Sequence, residues 1–327
     1  MRHANGQRWT ACVLTACLWF AHVGASIASP GMLLYAADAG TQQLFNLSTT
    51  DGSPSLVGAF GVPGDMAALT YDTRNDVLYG ATTATDNLYT IDRVTGAANL
   101  IGALGVSLMH GLAYNNQNGV LYGATSTNSA LFRISTTTGQ ATLVGYIGNF
   151  IGNSNGVSGI AFNPVDSALY GCIAGRSCLG GLVRIDTSTG QGTFLCSTKP
   201  LDDLAFDPQT GTLYGIYNGC SAGATNTLWT VSIASGAATL VGVTHLANNL
   251  GLAFAPPVLP RLGTILLPPA HLRIAWPTNF ANYVLESASN LPANWNRGTN
   301  SVAISNGCFG VTVLTETPQQ IFRLRRP

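Results

Sequence analysis

Seven polar residues stand at or just before the start of five similar segments, and they are the best candidates for chemistry: Asp65, His110, Ser158, Asp202, Asp203, Asn248 and Asn249. A histidine beside a carboxylate can move a proton or bind a cation. His110 with Asp202 or Asp203 would therefore suit a hydrolase or lyase, with or without a metal ion. The competing hypothesis is that these side chains bond to nearby backbone N–H groups and form part of a ligand-binding surface.

These residues can meet only if the chain folds as a repeat. Leu-Tyr pairs recur at residues 34, 78, 121, 169 and 213, so the steps are 44, 43, 48 and 44 residues. A period of about 40–50 residues built from strand-like units indicates a propeller or a solenoid. No helical periodicity is present, and each unit contains four short apolar runs.

The connections between these runs have the composition of tight turns. Asp and Asn side chains bond to their own backbone two residues on, which predicts turn roles for Asp72, Asp92, Asp186 and Asp207. Glycines at 96, 139, 190 and 236 suit the left-handed position of the turn before the fourth run. The runs are apolar on both faces, whereas a strand with one solvated face would alternate. Each sheet is therefore expected to lie between two others.

The two ends of the repeat region favour a ring. The first unit begins at Leu33-Leu34-Tyr35 and lacks a first strand, while an extra first strand, Gly251-Leu252-Ala253-Phe254, follows the fifth unit. This predicts an all-β, five-bladed β-propeller over residues 29–257, closed by that C-terminal strand. The seven polar residues would then surround one mouth of the central channel. They would share it with five polar loops, residues 38–43, 82–87, 125–130, 173–181 and 217–227.

The repeated motifs carry a family resemblance. Gly-Leu-Ala-(Tyr/Phe), Leu-Tyr-Gly, Leu-x-x-Ile-Asp-x-x-Thr-Gly and Leu-Val-Gly resemble the repeats of uncharacterised secreted bacterial propellers related to the NHL and YVTN-like group. This resemblance implies that the Gly-Leu-Ala strand is innermost, beside the channel. It says almost nothing about chemistry, because propellers host many functions.

The C-terminal part differs in composition from the repeats. Residues 258–269 are rich in proline and predict a stiff linker. Residues 270–327 alternate polar and apolar, which predicts a small β-sandwich-like module with one solvated face. The motifs Trp276-Pro277, Tyr283-Val284-Leu285-Glu286 and Phe322-Arg323-Leu324 resemble a C-terminal β-module of secreted proteins from Verrucomicrobia-type bacteria. A contact with the cell envelope through this module is a hypothesis.

The N-terminus has the features of a secretion signal. Arg2 and Arg8 precede an apolar stretch, residues 9–23, and small residues follow it. This predicts a signal peptide over residues 1–28, cleaved after Ala28 or after Ala25. No later stretch is long and apolar enough to span a bilayer. We therefore expect a secreted protein, extracellular or periplasmic.

Four cysteines in one region suggest disulfides in an oxidising compartment. Cys172 could pair with Cys178 and Cys196 with Cys220, or Cys178 could pair with Cys220. The spacings match no metal-ligand pattern, so no metal site is predicted.

Composition and missing motifs narrow the function. The chain has only 14 basic and 14 acidic residues and no basic stripe, which argues against a nucleic-acid partner. No nucleophile elbow, zinc-protease motif or phosphate loop is present, and no cofactor is predicted. The only glutamates, Glu286 and Glu316, lie outside the repeats. We interpret the chain as a secreted, non-catalytic binding or scaffold propeller whose ligand is a carbohydrate or a protein. The alternative is a hydrolase or lyase using His110 with Asp202 or Asp203.

Overall fold

The chain folds almost wholly into short antiparallel strands. The computed structural model describes residues 31–150, 156–174, 179–219, 225–260, 262–289, 294–298, 300–314 and 320–325. The predicted signal peptide lies outside these residues. No helix in the described part of the chain is long and apolar enough to cross a membrane.

The repeat region forms five four-stranded sheets, sheets 1 to 5. Sheet 1 has the order β20-β1-β2-β3, with β1 at Leu33–Asp38, β2 at Gln43–Leu47, β3 at Pro54–Ala59 and β20 at Asn249–Ala255. Sheet 2 contains β4 Met66–Asp72, β5 Val77–Thr82, β6 Asn87–Ile91 and β7 Ala98–Ala103. Sheet 3 contains β8 Met109–Asn115, β9 Val120–Thr125, β10 Ala130–Ile134 and β11 Ala141–Tyr146. Sheet 4 contains β12 Val157–Phe162, β13 Leu169–Ala174, β14 Gly180–Ile185 and β15 Gly192–Thr198. Sheet 5 contains β16 Asp203–Phe206, β17 Leu213–Tyr217, β18 Thr227–Val231 and β19 Ala238–Val243.

The sheets are sandwiched between one another, as their two-sided apolar pattern predicts. Tyr35 and Ala253 of sheet 1 pack in one buried cluster with Leu69 and Tyr71 of sheet 2. Glycine is needed where the innermost strands approach closely: a Cβ on Gly111 would lie 2.8 Å from the carbonyl oxygen of Ser158. Large side chains therefore pack against small ones across each pair of neighbouring sheets.

The ring closes through the strand that follows the fifth unit. β20 pairs with β1, so that Leu252 lies opposite Ala36 and Phe254 opposite Leu34. The innermost strands pack side by side in the order β4, β8, β12, β16 and β20, and β20 also packs against β4. This arrangement is a β-propeller, and the predicted innermost position of the Gly-Leu-Ala strands is confirmed.

A buried arginine joins the closing strand to the second sheet. Arg93 is only 9% exposed and donates hydrogen bonds to the carbonyl of Pro256, just after β20, and to Asp76. Its guanidinium lies 4.8 Å from the ring centre of Tyr71. These contacts connect sheets 1 and 2 at the point where the ring is completed.

The predicted turn residues have the expected roles. The carboxylate of Asp72 accepts a hydrogen bond from the backbone N–H of Arg74 at 2.8 Å, and Asp92, Asp186 and Asp207 make the equivalent bond. Gly96 has a φ of 80°, and a Cβ there would lie 2.5 Å from the carbonyl oxygen of Gly58. The turn therefore needs glycine both for its conformation and for the close contact with the outer strand of the preceding sheet.

The C-terminal residues form two further small sheets. One has the order β21-β22-β26-β25, with β21 at Gly263–Leu267, β22 at His271–Pro277, β25 at Ala303–Ser305 and β26 at Cys308–Leu314. The other has the order β24-β23-β27, with β23 at Val284–Ala288, β24 at Asn296–Arg297 and β27 at Ile321–Arg325. A short 3-10 helix spans Thr278–Phe280. Strand β21 lies inside the segment predicted as a linker, because Thr264 to Leu267 pair with β22 in spite of the neighbouring prolines.

Two of the predicted disulfides are wrong. Cys172 and Cys196 are both free thiols. The Cys172 side chain is 0% exposed and points into the core between sheets 4 and 5, where its Sγ lies 3.4 Å from the hydroxyl of Ser158. The thiol of Cys196 lies 3.7 Å from the carbonyl oxygen of Ile233. Cys178 and Cys220 lie outside the described residues, so a bond between them stays a prediction.

Candidate functional site

The seven candidate residues lie where the innermost strands begin, a region that we call the strand-start mouth. Asp65, Asp202 and Asn248 precede β4, β16 and β20, while His110 and Ser158 are the second residues of β8 and β12. Asp203 is the first residue of β16 and Asn249 the first of β20. Because the five strands pack side by side, the fold places these positions around one end of the axis.

His110 and the aspartates do not form a pair. Nδ1 of His110 lies 3.0 Å from the carbonyl oxygen of Leu108 and 2.9 Å from the hydroxyl oxygen of Ser126. No oxygen of Asp202 or Asp203 lies within 4.0 Å of a His110 ring nitrogen. Strand β12 packs between β8 and β16. The convergence that the hydrolase or lyase hypothesis requires is therefore not present.

The two adjacent aspartates bond to different parts of the backbone. Asp202 is half-buried, and its Oδ2 accepts a hydrogen bond from the N–H of Asn218 at 2.7 Å. Asp203 is 0% exposed, and its Oδ2 accepts a bond from the N–H of Leu252, in the closing strand, at 2.7 Å. Its Oδ1 has no hydrogen-bond partner and lies against Gly159, where a Cβ would come within 2.3 Å.

Burial raises the pKa of both carboxyl groups. The pKa of Asp202 is raised to about 6, and the bond from Asn218 lowers it only in part. The pKa of Asp203 is raised well above its ordinary value, because desolvation outweighs the bonds that it accepts from backbone amides. Perturbed carboxyl groups are common at functional sites, but ordinary structural contacts also produce them.

The remaining candidates are divided between structural contacts and the surface. Ser158 is 8% exposed and donates to the carbonyl of Leu201 at 3.0 Å, which links sheets 4 and 5. Asn248 accepts a bond from the side-chain amide of Asn218, so Asn218 brings Asp202 and Asn248 together. Asp65 is exposed and accepts a bond from Gln42 at 3.1 Å. Asn249 pairs with Asp38 through the backbone.

No cation site is formed by charged or sulfur-bearing side chains in the described part of the chain. No group of three or more His, Cys, Asp or Glu residues is arranged there to hold a metal ion.

Asp38 and Asn218, which the sequence analysis did not single out, each make more than one hydrogen bond at this mouth. Asp38 accepts bonds from the N–H groups of Gly40, Ala247 and Asn248. The sequence signals that could have indicated these two residues are an Asp at the end of a strand, for Asp38, and an Asn beside a glycine, for Asn218.

The opposite end of the axis holds a cavity that the sequence analysis missed. Its volume is about 310 Å³, and all five innermost strands contribute to its lining. We call it the axial cavity. Its inner boundary is a ring of aliphatic side chains, each at most 2% exposed: Leu69, Leu112, Ile160, Leu204 and Leu252. In each strand this ring position lies between the strand-start mouth and the cavity.

The rim of the axial cavity has two chemically different halves. Thr73, Asn116 and Gln117, from the turns of sheets 2 and 3, give a half of hydroxyl and amide groups. Pro164 and Pro208, from sheets 4 and 5, give a more apolar half, to which sheet 4 also contributes the side chains of Asn163 and Ser167. Among the described residues, the lining includes no Asp, Glu, His, Lys, Arg or Cys. The cavity therefore offers hydrogen bonds and apolar contact without charge.

The comparisons with known proteins reach only the level of fold. The sequence matches no family model and no curated protein. Among solved structures, a nidogen–laminin complex matches with a TM-score of 0.49 and 13% identity, over 69% of this chain and 98% of the matched chain. A gluconolactonase from Xanthomonas campestris matches with a TM-score of 0.40 and 12% identity, over 75% of this chain and 93% of that one. TolB from Acinetobacter baumannii also matches with a TM-score of 0.40 and 12% identity, over 89% of this chain and 66% of that one.

The three TM-scores are all below 0.5, so the assignment as a β-propeller rests on the strand order and the closure by β20. The NHL, YVTN-like and Verrucomicrobia-type assignments stay predictions.

Proposed function

We propose that this chain is a secreted, non-catalytic binding protein, a five-bladed propeller followed by a small C-terminal module, and that its ligand is an uncharged carbohydrate. One observation carries the non-catalytic part. At the strand-start mouth, His110, Ser158 and Asp202 each contact a backbone group, and His110 stands apart from the carboxylates. General acid–base catalysis requires groups that converge on one substrate position.

The uncharged lining of the axial cavity supports an uncharged ligand. Its hydroxyl and amide groups, from Thr73, Asn116 and Gln117, lie on a rigid scaffold and suit the recognition of sugar hydroxyls. In the described loops at the strand-start mouth, by contrast, Thr82 and Thr125 are at most 2% exposed. They bond to Thr85 at 2.7 Å and to Asn128 at 2.5 Å within their own loops. The loops at 173–181 and 217–227 lie partly outside the described residues.

Secretion and an envelope contact belong to the same proposal. The basic start and apolar stretch of residues 1–28 support export. In the C-terminal module, Arg323 bonds to Glu286 at 2.8 Å and lies over the ring of Trp295. Since Glu286 also pairs with Arg325, the carboxylate offsets part of the positive charge of this strand. An envelope contact would therefore depend on more than attraction to anionic polymers.

The test combines a binding assay with a turnover assay on the full chain, expressed in a Gram-negative host. N-terminal sequencing of the exported protein checks cleavage after residue 28 or 25. We expect binding to neutral glycans on an array, with little change between low and high salt because no ion pairs form. We also expect no turnover of glycoside or lactone substrates.

The His110→Ala and Asp202→Asn variants separate the two hypotheses. Both are expected to leave glycan binding unchanged. Turnover by the wild-type protein that either variant abolishes would refute the proposal in favour of the hydrolase or lyase. Binding to a protein partner but to no glycan would refute the ligand class.

A further inference from the structure

We infer that the axial cavity, and not the loop-bearing mouth, is the ligand site, and that it takes one neutral, hydroxyl-rich ring of monosaccharide size. This inference rests on the proposed function and specifies where and how the ligand binds. Small-molecule sites are concave, largely apolar and carry a few polar groups that orient the ligand. At about 310 Å³, the cavity is at the lower end of the usual size range.

The electrostatics of the lining select against charged ligands. Tyr71 and Tyr114 are the only lining side chains that titrate. Burial raises the pKa of Tyr114 to about 12 and raises that of Tyr71 further above its ordinary value, so both phenols stay neutral. An anion or an ammonium group would lose its hydration here without gaining a countercharge.

The guanidinium of Arg74, close to this rim, is already engaged. Its Nε donates to the carbonyl of Asn116 at 2.7 Å, and its Nη2 donates to the carbonyl of Gln117. It holds the turn of sheet 3 against that of sheet 2. This cation is therefore committed to the backbone and not directed at a ligand. Arg93, whose guanidinium lies over the ring of Tyr71, is likewise bonded to Pro256 and Asp76.

The polar half of the rim is pre-organised and keeps unused bonding capacity. The side-chain oxygen of Asn116 accepts from the N–H and the hydroxyl of Thr73 at 2.8 and 2.7 Å, which fixes the amide. Its Nδ2 makes one long bond, 3.4 Å, to the carbonyl of Tyr71. Gln117 donates through Nε2 to Ser167, while its Oε1 accepts no bond from the described residues. One amide hydrogen on each of the two side chains and the carbonyl oxygen of Gln117 are thus available for ligand hydroxyls.

The apolar half complements the other surface of a sugar. Pro164 and Pro208 expose C–H groups on the rim, and Phe162, Phe206 and Phe254 line the cavity below. A pyranose ring presents hydroxyls at its edge and C–H groups on its faces. A rim with an amide half and a proline half matches both surfaces in one orientation, which a flat loop surface would not do.

The experiment measures binding of D-galactose and D-glucose to the full chain by saturation-transfer NMR and calorimetry. D-galacturonate and D-glucosamine serve as charged probes of the same size. We expect a neutral sugar to bind, the charged probes to bind at least tenfold more weakly, and the methyl signals of Leu112 and Ile160 to shift. Gln117→Ala is expected to weaken binding about fivefold, the effect of one lost hydrogen bond. Asn116→Asp keeps the contact with Thr73 but loses the amide hydrogens and adds charge, so a larger loss is expected.

A matched variant separates a ligand contact from a structural effect. Asn118→Ala truncates the neighbouring amide of the same turn, which accepts a bond from the N–H of Val120 at 3.1 Å and is not among the described lining residues, so affinity should change less than about twofold. The inference is overturned if no neutral sugar binds, if Gln117→Ala and Asn116→Asp bind as the wild type does, or if Asn118→Ala has the same effect as Gln117→Ala. Binding that is lost instead in Asn218→Ala would place the ligand at the strand-start mouth. That result would overturn this inference and leave the proposed function intact.

Discussion

The buried carboxyl group of Asp203 should make the stability of the propeller depend on pH in a way that one substitution removes. Asp203 is 0% exposed, has one oxygen without a partner, and occupies a position where the other four sheets carry Ala68, Gly111, Gly159 and Gly251. Because its pKa is raised in the folded state, the native protein holds the proton more tightly than the unfolded chain does. Stability should therefore fall as the pH rises from the unfolded pKa towards the folded one.

The expected size of this effect follows from linkage. While the folded chain keeps one proton that the unfolded chain has released, the free energy of unfolding falls by about 1.4 kcal/mol per pH unit. Asp203→Asn keeps an oxygen that can accept from Leu252 and removes the titration. Between about pH 4.5 and pH 5.5, the variant should lose up to about 1.4 kcal/mol less stability than the wild type. The absolute stabilities are less informative, since an asparagine amide facing Gly159 would itself be unsatisfied.

Urea unfolding at a series of pH values, followed by tryptophan fluorescence, measures this slope. Asp65→Asn is the matched control, because it makes the same change in net charge at an exposed position. Asp202→Asn gives a second comparison, since the pKa of Asp202 is raised to about 6 and its contribution should end near that pH. Equal slopes in the wild type and in Asp203→Asn would refute the assignment of a raised pKa to this group.

Three further predictions concern the ring and its packing. Arg93→Ala should destabilise the protein by about 1–3 kcal/mol, measured by urea unfolding, because it removes a buried side chain that bonds to the carbonyl of Pro256 and packs on the ring of Tyr71. The pair with Asp76 adds little to this loss, since the Asp76 side chain is 61% exposed. A loss of less than about 0.5 kcal/mol would show that the closing strand does not need Arg93. Gly102→Ala should lower the melting temperature, because its Cβ would lie 2.1 Å from the carbonyl oxygen of Thr138. Gly61→Ala is the comparison variant: its Cβ would meet nothing within 4 Å, so it tests the strain of a positive φ of 68° without a clash. Burial raises the pKa of the Cys172 thiol, so this thiol should react with a disulfide reagent only after unfolding; rapid reaction in the native protein would contradict the buried position.

The repeat made the ring predictable from the sequence. The hydrogen-bond partners of individual side chains could not be predicted in this way. The first unit lacks a first strand before Leu33, and an extra first strand follows the fifth unit at residues 251–254. These two facts fit together only if the chain closes into a ring, and β20 does pair with β1. The turn aspartates could be predicted for the same reason, because their partners lie two residues away. The partners of His110, Leu108 and Ser126, could not be predicted. The repeat gives the order of the strands but not the direction in which a side chain at a strand start points. Cys172 was misassigned because a strand position does not reveal which face meets the core.

The axial cavity was not predicted because the candidate residues were those at the starts of the innermost strands, whereas the cavity lies at their ends. Four of those strands end in Tyr or Phe followed by Asp or Asn, and this pattern is equally visible in the sequence. The aromatic residues were interpreted only as core, which most of them are, with Tyr71, Tyr114, Phe206 and Phe254 at 6–7% exposure. A residue that packs on one side against a neighbouring sheet can still line a cavity on the other.

Departures from the repeat are the more informative signal in such a scaffold. Positions that all sheets share, such as the aliphatic ring, are required by packing in every unit. One rim position of the axial cavity differs from sheet to sheet, as Thr73, Asn116, Pro164 and Pro208 in sheets 2 to 5. The scaffold does not dictate this position, since hydroxyl, amide and imino acid all fit the same turn. A ring of identical units would offer a symmetric site. The variation at this position instead gives the rim one more polar and one more apolar half. Only such an asymmetric rim can fix the orientation of one asymmetric ligand.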